Sequence, residues 1–598
     1  MCGIAALFAY GDSAAPVELA ELRAIRDRMA TRGPDGAGEW RSADERVALG
    51  HRRLSIIDLR TVADQPMVHG DGRLRIVFNG EIYNYRELRR RLVEAGHVFR
   101  TESDTEVLLH LYDRYGPDMV RHLRGMYAFA LWDEARKGLF LARDPFGIKP
   151  LYYADDGRTI RIASQVKGLL AGGKIDTTAE PAGHVGFFLW GYVPDPYTLY
   201  RRIRALPAGC TMWIDRAGAQ KPARFFDLRN VFTDVAPAPA DPVARAQMLR
   251  DALVDSIAHH LIADVPVGVF LSAGLDSTTI VALAVESGAT NLNTLTLGFR
   301  EFQGGENDET RLAEAVARQC GTRHQTRWVP GQAFAAERDK LLDAMDQPSI
   351  DGVNTYFVAK EAHAAGLKVA LSGLGGDELF GGYPGFTQIP KLVRALAPLA
   401  PLRPLGRVVR MVAAGLIGRM TSPKYAGLLE YGPTWSGAYL LRRSLFMPWE
   451  LTGILPRDMV EQGLQELDTL RRLDDTVSGM AAPRLKVSAF ELSWYMRNQL
   501  LRDADWAGMA YSLEIRVPFV DVELVRRLAP LLASAHPPTK RDMAATPRTA
   551  LPRDVLERPK TGFVVPVRDW IAGRTGEPAE RGLRSWARQV YAAQKGAA

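Results

Sequence analysis

The chain has 598 residues, more than one hydrophobic core supports, so two or more domains are expected. Hydrophobic residues make up 47% and charged residues 24%, the balance of an ordinary globular protein, which excludes a fibrous or largely disordered chain. The net charge of +7 comes from 76 basic and 69 acidic residues mixed along the chain. With no run of five or six like charges a nucleic-acid partner is not expected, and a mild positive balance suits phosphate-bearing ligands equally well.

Three cysteines, Cys2, Cys210 and Cys320, make no disulfide framework in a chain of this size and fit a reducing compartment. The start, Met1-Cys2-Gly3-Ile4-Ala5-Ala6-Leu7-Phe8, has no basic n-region and does not read as a signal peptide. The most apolar stretch, Leu392 to Ile417, carries Arg394, Arg403, Arg407 and Arg410 together with Pro398, Pro401 and Pro404, which excludes a membrane span. A packed surface helix is expected there, with a basic amphipathic helix lying on a membrane as the other reading. A cytoplasmic protein with no membrane partner is expected.

Along the first 210 or so residues, short apolar or alternating runs predict strands at Gly3–Phe8, Leu74–Phe78, Ala128–Trp132, Leu139–Ala142 and Thr211–Ile214. Turns such as Arg32-Gly33-Pro34-Asp35-Gly36 and Asp155-Asp156-Gly157 separate them, and helical spacing appears at Leu19–Met29 and Arg86–Ala95. This mixture predicts an α+β sandwich over residues 2–212. A linker is expected over 213–242, whose end, Asp234-Val235-Ala236-Pro237-Ala238-Pro239-Ala240-Asp241-Pro242, reads as extended and semi-rigid. From 243 to 598 the texture changes. Helix Ala244–Ile262, strand Val265–Leu271, a helix from Thr278 to about Glu286, strand Leu295–Phe299, helix Glu309–Cys320 and strand Lys368–Leu371 alternate, which predicts a doubly wound α/β domain. Beyond Pro384 helical patterns dominate.

If Met1 is removed, Cys2 opens the chain with a thiol nucleophile and, on the same residue, an amine of pKa near 8 able to take the thiol proton. On its own, Cys2 reads equally well as a small residue opening a strand. Arg53 in Arg53-Leu54-Ser55-Ile56-Ile57-Asp58, Asn79 in Asn79-Gly80-Glu81-Ile82-Tyr83-Asn84, and Asp104 in Ser103-Asp104-Thr105-Glu106 add a constellation. With MCGI, RGPD and RDPFGIKPLYY, in order, these runs resemble the class II, N-terminal-nucleophile glutamine amidotransferases, and specifically the glutaminase half of the asparagine synthetase family. The resemblance implies an αββα sandwich in which Cys2 attacks glutamine. Arg53 would hold the substrate α-carboxylate, for which a guanidinium's paired donors suit it. Asp104 with Glu81 would hold the α-ammonium, and the Asn79 side chain with the Gly80 N–H would form an oxyanion hole. Arg53 as a surface charge and Asn79-Gly80 as a hairpin turn are the plain alternatives. Arg32 and Met126 match family positions near an ammonia channel, packing being the other reading of Met126.

The turn Ser272-Ala273-Gly274-Leu275-Asp276-Ser277 after Leu271 sits between a strand and a helix, where small residues and free N–H groups admit a phosphate. It is no Walker A loop, since no Gly-Lys-Ser/Thr follows. It resembles the SGGLDS loop of ATP pyrophosphatases, with Ala273 in place of one glycine, tolerable if φ is negative there. A second cluster, Ser372-Gly373-Leu374-Gly375-Gly376-Asp377-Glu378, follows Lys368–Leu371. The resemblance implies that Leu271, Ser272, Gly274, Asp276, Ser277, Ser372, Gly373 and Asp377 bind ATP and pyrophosphate. Asp276 and Asp377, as hard carboxylates, would hold Mg2+, and Lys560 would stabilise the transition state. Arg516, in Glu514-Ile515-Arg516, reads either as a phosphate contact or as an ion pair with Glu514 or Asp521.

The resemblance breaks at Leu374. Well-studied asparagine synthetases carry a glutamate there, in SGEGSDE, and a related ligase, β-lactam synthetase, carries a tyrosine, so the position varies with the acceptor. Leucine neither accepts a proton nor binds ammonium. Two acceptors therefore stand: aspartate, giving asparagine, AMP and pyrophosphate from ATP and glutamine, or another carboxylate such as a sugar uronate, a peptide or a secondary metabolite. A non-catalytic scaffold is disfavoured by the intact Cys2 and Ser/Asp loop. A homodimer is usual for similar enzymes.

Overall fold

The structure is a computed structural model that describes residues 2–305, 307–330, 332–420, 422–558 and 583–596. Two antiparallel sheets stack in the first part of the chain. One runs Ile203–Ala205, Tyr152–Asp155, Thr159–Ala163, Gly3–Ala9, Val47–Arg53, Gly36–Arg41. The other runs Gly218–Ala219, Cys210–Asp215, Gly138–Arg143, Gly125–Asp133, Leu74–Ile82, Met67–Val68, with Ala223–Arg224 also paired to Cys210–Asp215.

Side-chain alternation makes the layers. In Gly3–Ala9, Ile4, Ala6 and Phe8 meet Val77, Ala128, Ala130 and Leu141 of the opposite sheet, while Ala5, Leu7 and Ala9 meet Leu22 and Ile25 of helix Leu19–Arg28. Beyond the second sheet, Phe78, Phe129 and Leu131 pack on Leu88, Leu92 and Val107 of helices Tyr85–Glu94 and Asp104–Tyr115. This is the expected αββα sandwich. Its central strands are covered on both faces and so read as apolar runs. Asn79 and Gly80 lie inside Leu74–Ile82, with no turn between them.

Residues 213–242, expected as linker, hold the end of strand Cys210–Asp215, two further short strands and helix Leu228–Thr233. Met212 and Ile214 are buried in the sandwich core, which keeps the strand in its sheet beyond residue 212. The longest irregular stretch there is 234–241, just before helix Pro242–His260, whose first N–H groups are capped by Asp241.

The later part is built on five parallel strands in the order Arg323–Val329, Asn293–Phe299, Val267–Phe270, Val369–Leu371, Glu514–Arg516. The chain order therefore reverses between Val267–Phe270 and Val369–Leu371. In an open α/β sheet a ligand crevice lies outside the carboxyl ends of the strands at such a switch point. The turns after these two strands are the Ser272–Ser277 and Ser372–Glu378 clusters. Beyond them the described chain is helical apart from Glu514–Arg516. The two halves share their cores: Leu189, Trp190 and Tyr192 pack with Tyr439 and Trp494, and Phe187 and Phe188 with Phe446 and Tyr591.

Candidate active site

Cys2 precedes the central strand of the first sheet and is buried at its end. Its N–H donates to Asn79 Oδ1 at 2.9 Å, and its Sγ lies 4.0 Å from the Leu54 carbonyl oxygen. Burial pushes the thiol up, against the lowering effect of the nearby chain start. Asn79 is fully buried, and its Nδ2 has no hydrogen-bond partner among the described residues. A buried donor without a partner is destabilising, and this one belongs to the side chain that bonds Cys2. Gly80 is required by close approach: a Cβ there would stand 2.1 Å from the Met126 carbonyl oxygen.

Glu81 and Asp104 form a buried acidic pair. The Asp104 carboxylate caps the strand end by accepting from the Ile82 N–H at 2.9 Å, yet burial lifts its pKa to about 6. Glu81 is raised further above the carboxylate range, by burial and then by Glu514. Two strained carboxylates favour a cationic group between them. Arg53, at the end of Val47–Arg53, is held by Asp64 Oδ1 at 2.7 Å, by the Arg60 carbonyl at 3.0 Å and by the Asp58 carbonyl. Its chain neighbour Leu54 faces the Cys2 sulfur. The structure thus gathers Cys2, Asn79, Gly80, Glu81 and Asp104, with Arg53 at the rim.

Behind Cys2 a seam of buried charge crosses to the second half. Arg32, with no exposed surface, donates from Nε to the Cys2 carbonyl at 3.1 Å and grips Asp505 with both terminal nitrogens at 2.6 and 2.9 Å. Arg516 bonds Glu514 at 2.7 Å and the carbonyls of His260 and Ile262, and its Nη2 lies 3.5 Å from Glu81. Of the readings for Arg516, the ion pair with Glu514 is the one present. Asp521 pairs instead with Arg124. Asp505 gains a role only in the fold, because nothing local in its sequence says which distant group it will meet.

In the second half, Ser277 Oγ accepts from the Ser272 N–H at 3.1 Å, and Gly274 caps helix Leu275–Glu286, so the loop closes on itself. Ala273 has negative φ and is buried, which explains how it replaces a glycine. Asp276 and Asp377 open their helices and converge on one cation: Lys540 Nζ binds Asp276 and lies 2.8 Å from Asp377 Oδ1. Burial opposes the Lys540 charge and the two carboxylates outweigh it, so its pKa is raised. The glycines make the space: a Cβ on Gly373 would lie 2.8 Å from the Asp276 Cβ, one on Gly376 2.1 Å from Asp276 Oδ1, and one on Gly382 1.8 Å from Asp377 Oδ1. Lys540 escaped the sequence reading, for a lone lysine before a short helix carries no signal. Lys560 lies outside the described residues. Leu374 is half-buried against both large apolar clusters. Glu378, four residues on, accepts from Tyr383 Oη at 2.7 Å, and burial raises it to about 7.

The glutamine amidotransferase domain profile matches residues 1–226, and the asparagine synthase profile matches 248–595. The chain belongs to the asparagine synthase family. A Mycobacterium tuberculosis homologue is 36% identical over 97% of this chain and 89% of its own length. Asparagine synthetase (glutamine-hydrolyzing) 1 of Bacillus subtilis is 32% identical over 96% of this chain and 89% of that one. The Asparagus officinalis asparagine synthetase (glutamine-hydrolyzing) is 32% identical over 65% and 61%. The first profile covers the sandwich half of the chain and the second the half built on the parallel sheet.

Proposed function

We propose that this protein is a glutamine-dependent asparagine synthetase, with its glutaminase in residues 2–212 and its synthetase in 243–598. The observation that carries the reading is the pairing of two sites: Cys2 beside the unpartnered Asn79 donor, and Asp276 with Asp377 on one cation at the switch point. The Cys2 thiolate attacks the glutamine carboxamide, its proton passing to the α-amine freed by loss of Met1. Asn79 Nδ2 and the Gly80 N–H steady the negative oxygen of the tetrahedral state. Ammonia leaves, and water releases glutamate from the γ-glutamyl thioester. Arg53 holds the glutamine carboxylate, and Asp104 with Glu81 its ammonium.

At the second site the β-carboxylate of aspartate attacks the α-phosphorus of ATP and pyrophosphate departs. Ammonia then attacks the acyl carbon and AMP leaves. Leu271, Ser272, Gly274, Ser277, Ser372 and Gly373 line the nucleotide loops, and Lys540, with Lys560, balances the phosphate charge. Asp276 and Asp377 suit Mg2+, because both already close on a cation and glycines clear their surroundings. Among the described residues no cluster of three or more His, Cys, Asp or Glu could hold a metal, so further oxygen ligands would come from phosphate. Bound there, the ion would neutralise the departing pyrophosphate. Leu374, apolar where the family has glutamate, leaves Glu378 as the titratable carboxyl nearest Asp377 in sequence. Three free cysteines support a reducing, cytoplasmic setting.

With ATP, Mg2+, aspartate and glutamine, mass spectrometry should find asparagine, AMP and pyrophosphate in equal amounts. Cys2→Ala should abolish the reaction with glutamine and keep it with ammonium. AMP release with another carboxylate and none with aspartate would overturn aspartate as acceptor.

A further inference from the structure

A cavity of about 210 Å³ opens where the two halves meet, lined by Trp190, Tyr192, Asp351, Arg443, Tyr495 and Gln499. We infer that it is the subsite for the α-ammonium and α-carboxylate of the acceptor amino acid. The inference rests on the synthetase reading above and names where that acceptor sits. Trp190 and Tyr192 are 3% and 2% exposed, and neither the indole Nε1–H nor the hydroxyl has a hydrogen-bond partner among the described residues. Arg443 gives Nε and Nη2 to Glu491 at 3.0 and 2.6 Å and lies over the Tyr495 ring at 3.9 Å. Its Nη1 makes no hydrogen bond to the described residues. Among the described residues the Asp351 carboxylate accepts only from the Gly352 N–H, at 2.9 Å. Three donors without acceptors and one under-used carboxylate complement a zwitterion, the donors taking its carboxylate and Asp351 its ammonium. A uronate offers Asp351 no cation, only neutral hydroxyls. The cavity is one ring from the synthetase cluster: Tyr495 meets the edge of Tyr383, whose hydroxyl bonds Glu378 beside Asp377. Trp190 and Tyr192 belong to the glutaminase half, so this subsite would be complete only when the halves are joined.

The test is steady-state kinetics of the full chain with saturating ammonium. Tyr192→Phe deletes a hydroxyl without a partner, so the free protein should melt no lower than wild type, while the KM for aspartate rises about tenfold. Asp351→Asn should raise it by at least as much, and the KM for ATP should stay within about twofold in both. A merely structural role would move melting and leave this split absent. If wild type makes asparagine and both variants keep its aspartate KM, the subsite is wrong. It is equally wrong if, with glutamine in place of ammonium, the variants only raise glutamate released per asparagine, which would make the cavity a passage for ammonia. If wild type makes no asparagine at all, it is the synthetase reading that fails.

A separate surface carries a second inference. Between Glu378 and Glu430 the sequence has seven Lys and Arg and no Asp or Glu. Within it, Leu399, Leu402, Leu405, Val408, Met411 and Val412 are exposed, the last by 82%. Lys391, Arg394 and Arg407 are also exposed and join no ion pair among the described residues. The other face of helix Arg403–Met420 is anchored, since Arg410 pairs with Glu430 and covers Trp449. We propose that this face docks on an anionic lipid surface, its apolar side chains entering the headgroup boundary and its cations meeting lipid phosphates. A second copy would bring cation against cation, and nucleic acid would leave six large apolar side chains in water. No described helix is long and apolar enough to cross a membrane, so docking would be peripheral. Flotation with phosphatidylglycerol/phosphatidylcholine vesicles should carry the full-length protein up, and pure phosphatidylcholine should not. Val408→Asp with Val412→Asp should lower that binding about tenfold. Equal binding to both vesicle types, no binding to either, unchanged binding by the double variant, or a dimer in sedimentation that the double variant disperses would each overturn it.

Discussion

At Cys2 burial works against the chemistry it is placed to do, because only the thiolate attacks a carbonyl and the thiol is pushed up. Asn79 answers part of that difficulty in the proposed reaction: its Oδ1 fixes the Cys2 N–H, and its Nδ2, without a partner among the described residues, would meet the oxyanion. Asn79→Ala should therefore cut glutamine turnover by about a hundredfold or more, with ammonium-driven synthesis as the internal comparison. With Asp104 as the proposed partner of the glutamine ammonium, glutamine binding should depend on pH. The raised Asp104 value of about 6 means that the carboxylate needed by an ammonium group is present at pH 7 and is lost as pH falls through 6. Below that, the KM for glutamine, measured by glutamate release without ATP, should climb about tenfold per pH unit. A flat profile from pH 7 to 5 would remove Asp104 from the ammonium site.

At the scale of elements, two short strands decide the second site. Val267–Phe270 and Val369–Leu371 lie side by side in parallel and end within one residue of each other, which puts both following turns over one crevice. The glycines then let two carboxylates share a point no side-chain-bearing residue could pass. Gly376→Ala would drive a methyl group into Asp276 Oδ1. Pyrophosphate release should drop about a hundredfold, with glutamine hydrolysis in the absence of ATP as the check on folding. Some of the missed strands have a plain reason: Arg323–Val329 and Gly36–Arg41 are edge strands with polar, partly exposed residues, and Glu514–Arg516 is three residues long and charged. Val47–Arg53 and Thr159–Ala163, inside the first sheet, instead have apolar runs broken by His51, Arg52 and Arg161. Edge positions do not impose the apolar pattern that makes a strand visible.

For the whole molecule, the halves are joined by shared apolar cores and by the Arg32–Asp505 pair, which ties the Cys2 carbonyl to helix Leu501–Ala510 of the other half. Arg32→Met would strand a buried carboxylate and should lower stability by about 3–5 kcal/mol in denaturant titration. It should also raise glutamate formed per asparagine above one, since the nucleophile and the synthetase half would lose their link. The sequence by itself determined the two-part architecture and most of the strands buried on both faces, and it named the candidate residues of both sites, because ordered motifs and apolar runs are local properties of the chain. Only the tertiary structure decided that Arg516 serves Glu514 and the glutaminase side, that Lys540 closes the two aspartates, and that Trp190 and Tyr192 reach across to the second half. Those pairings join residues far apart in the chain, and a buried charge or donor takes its role from whichever distant group the fold brings within hydrogen-bond reach.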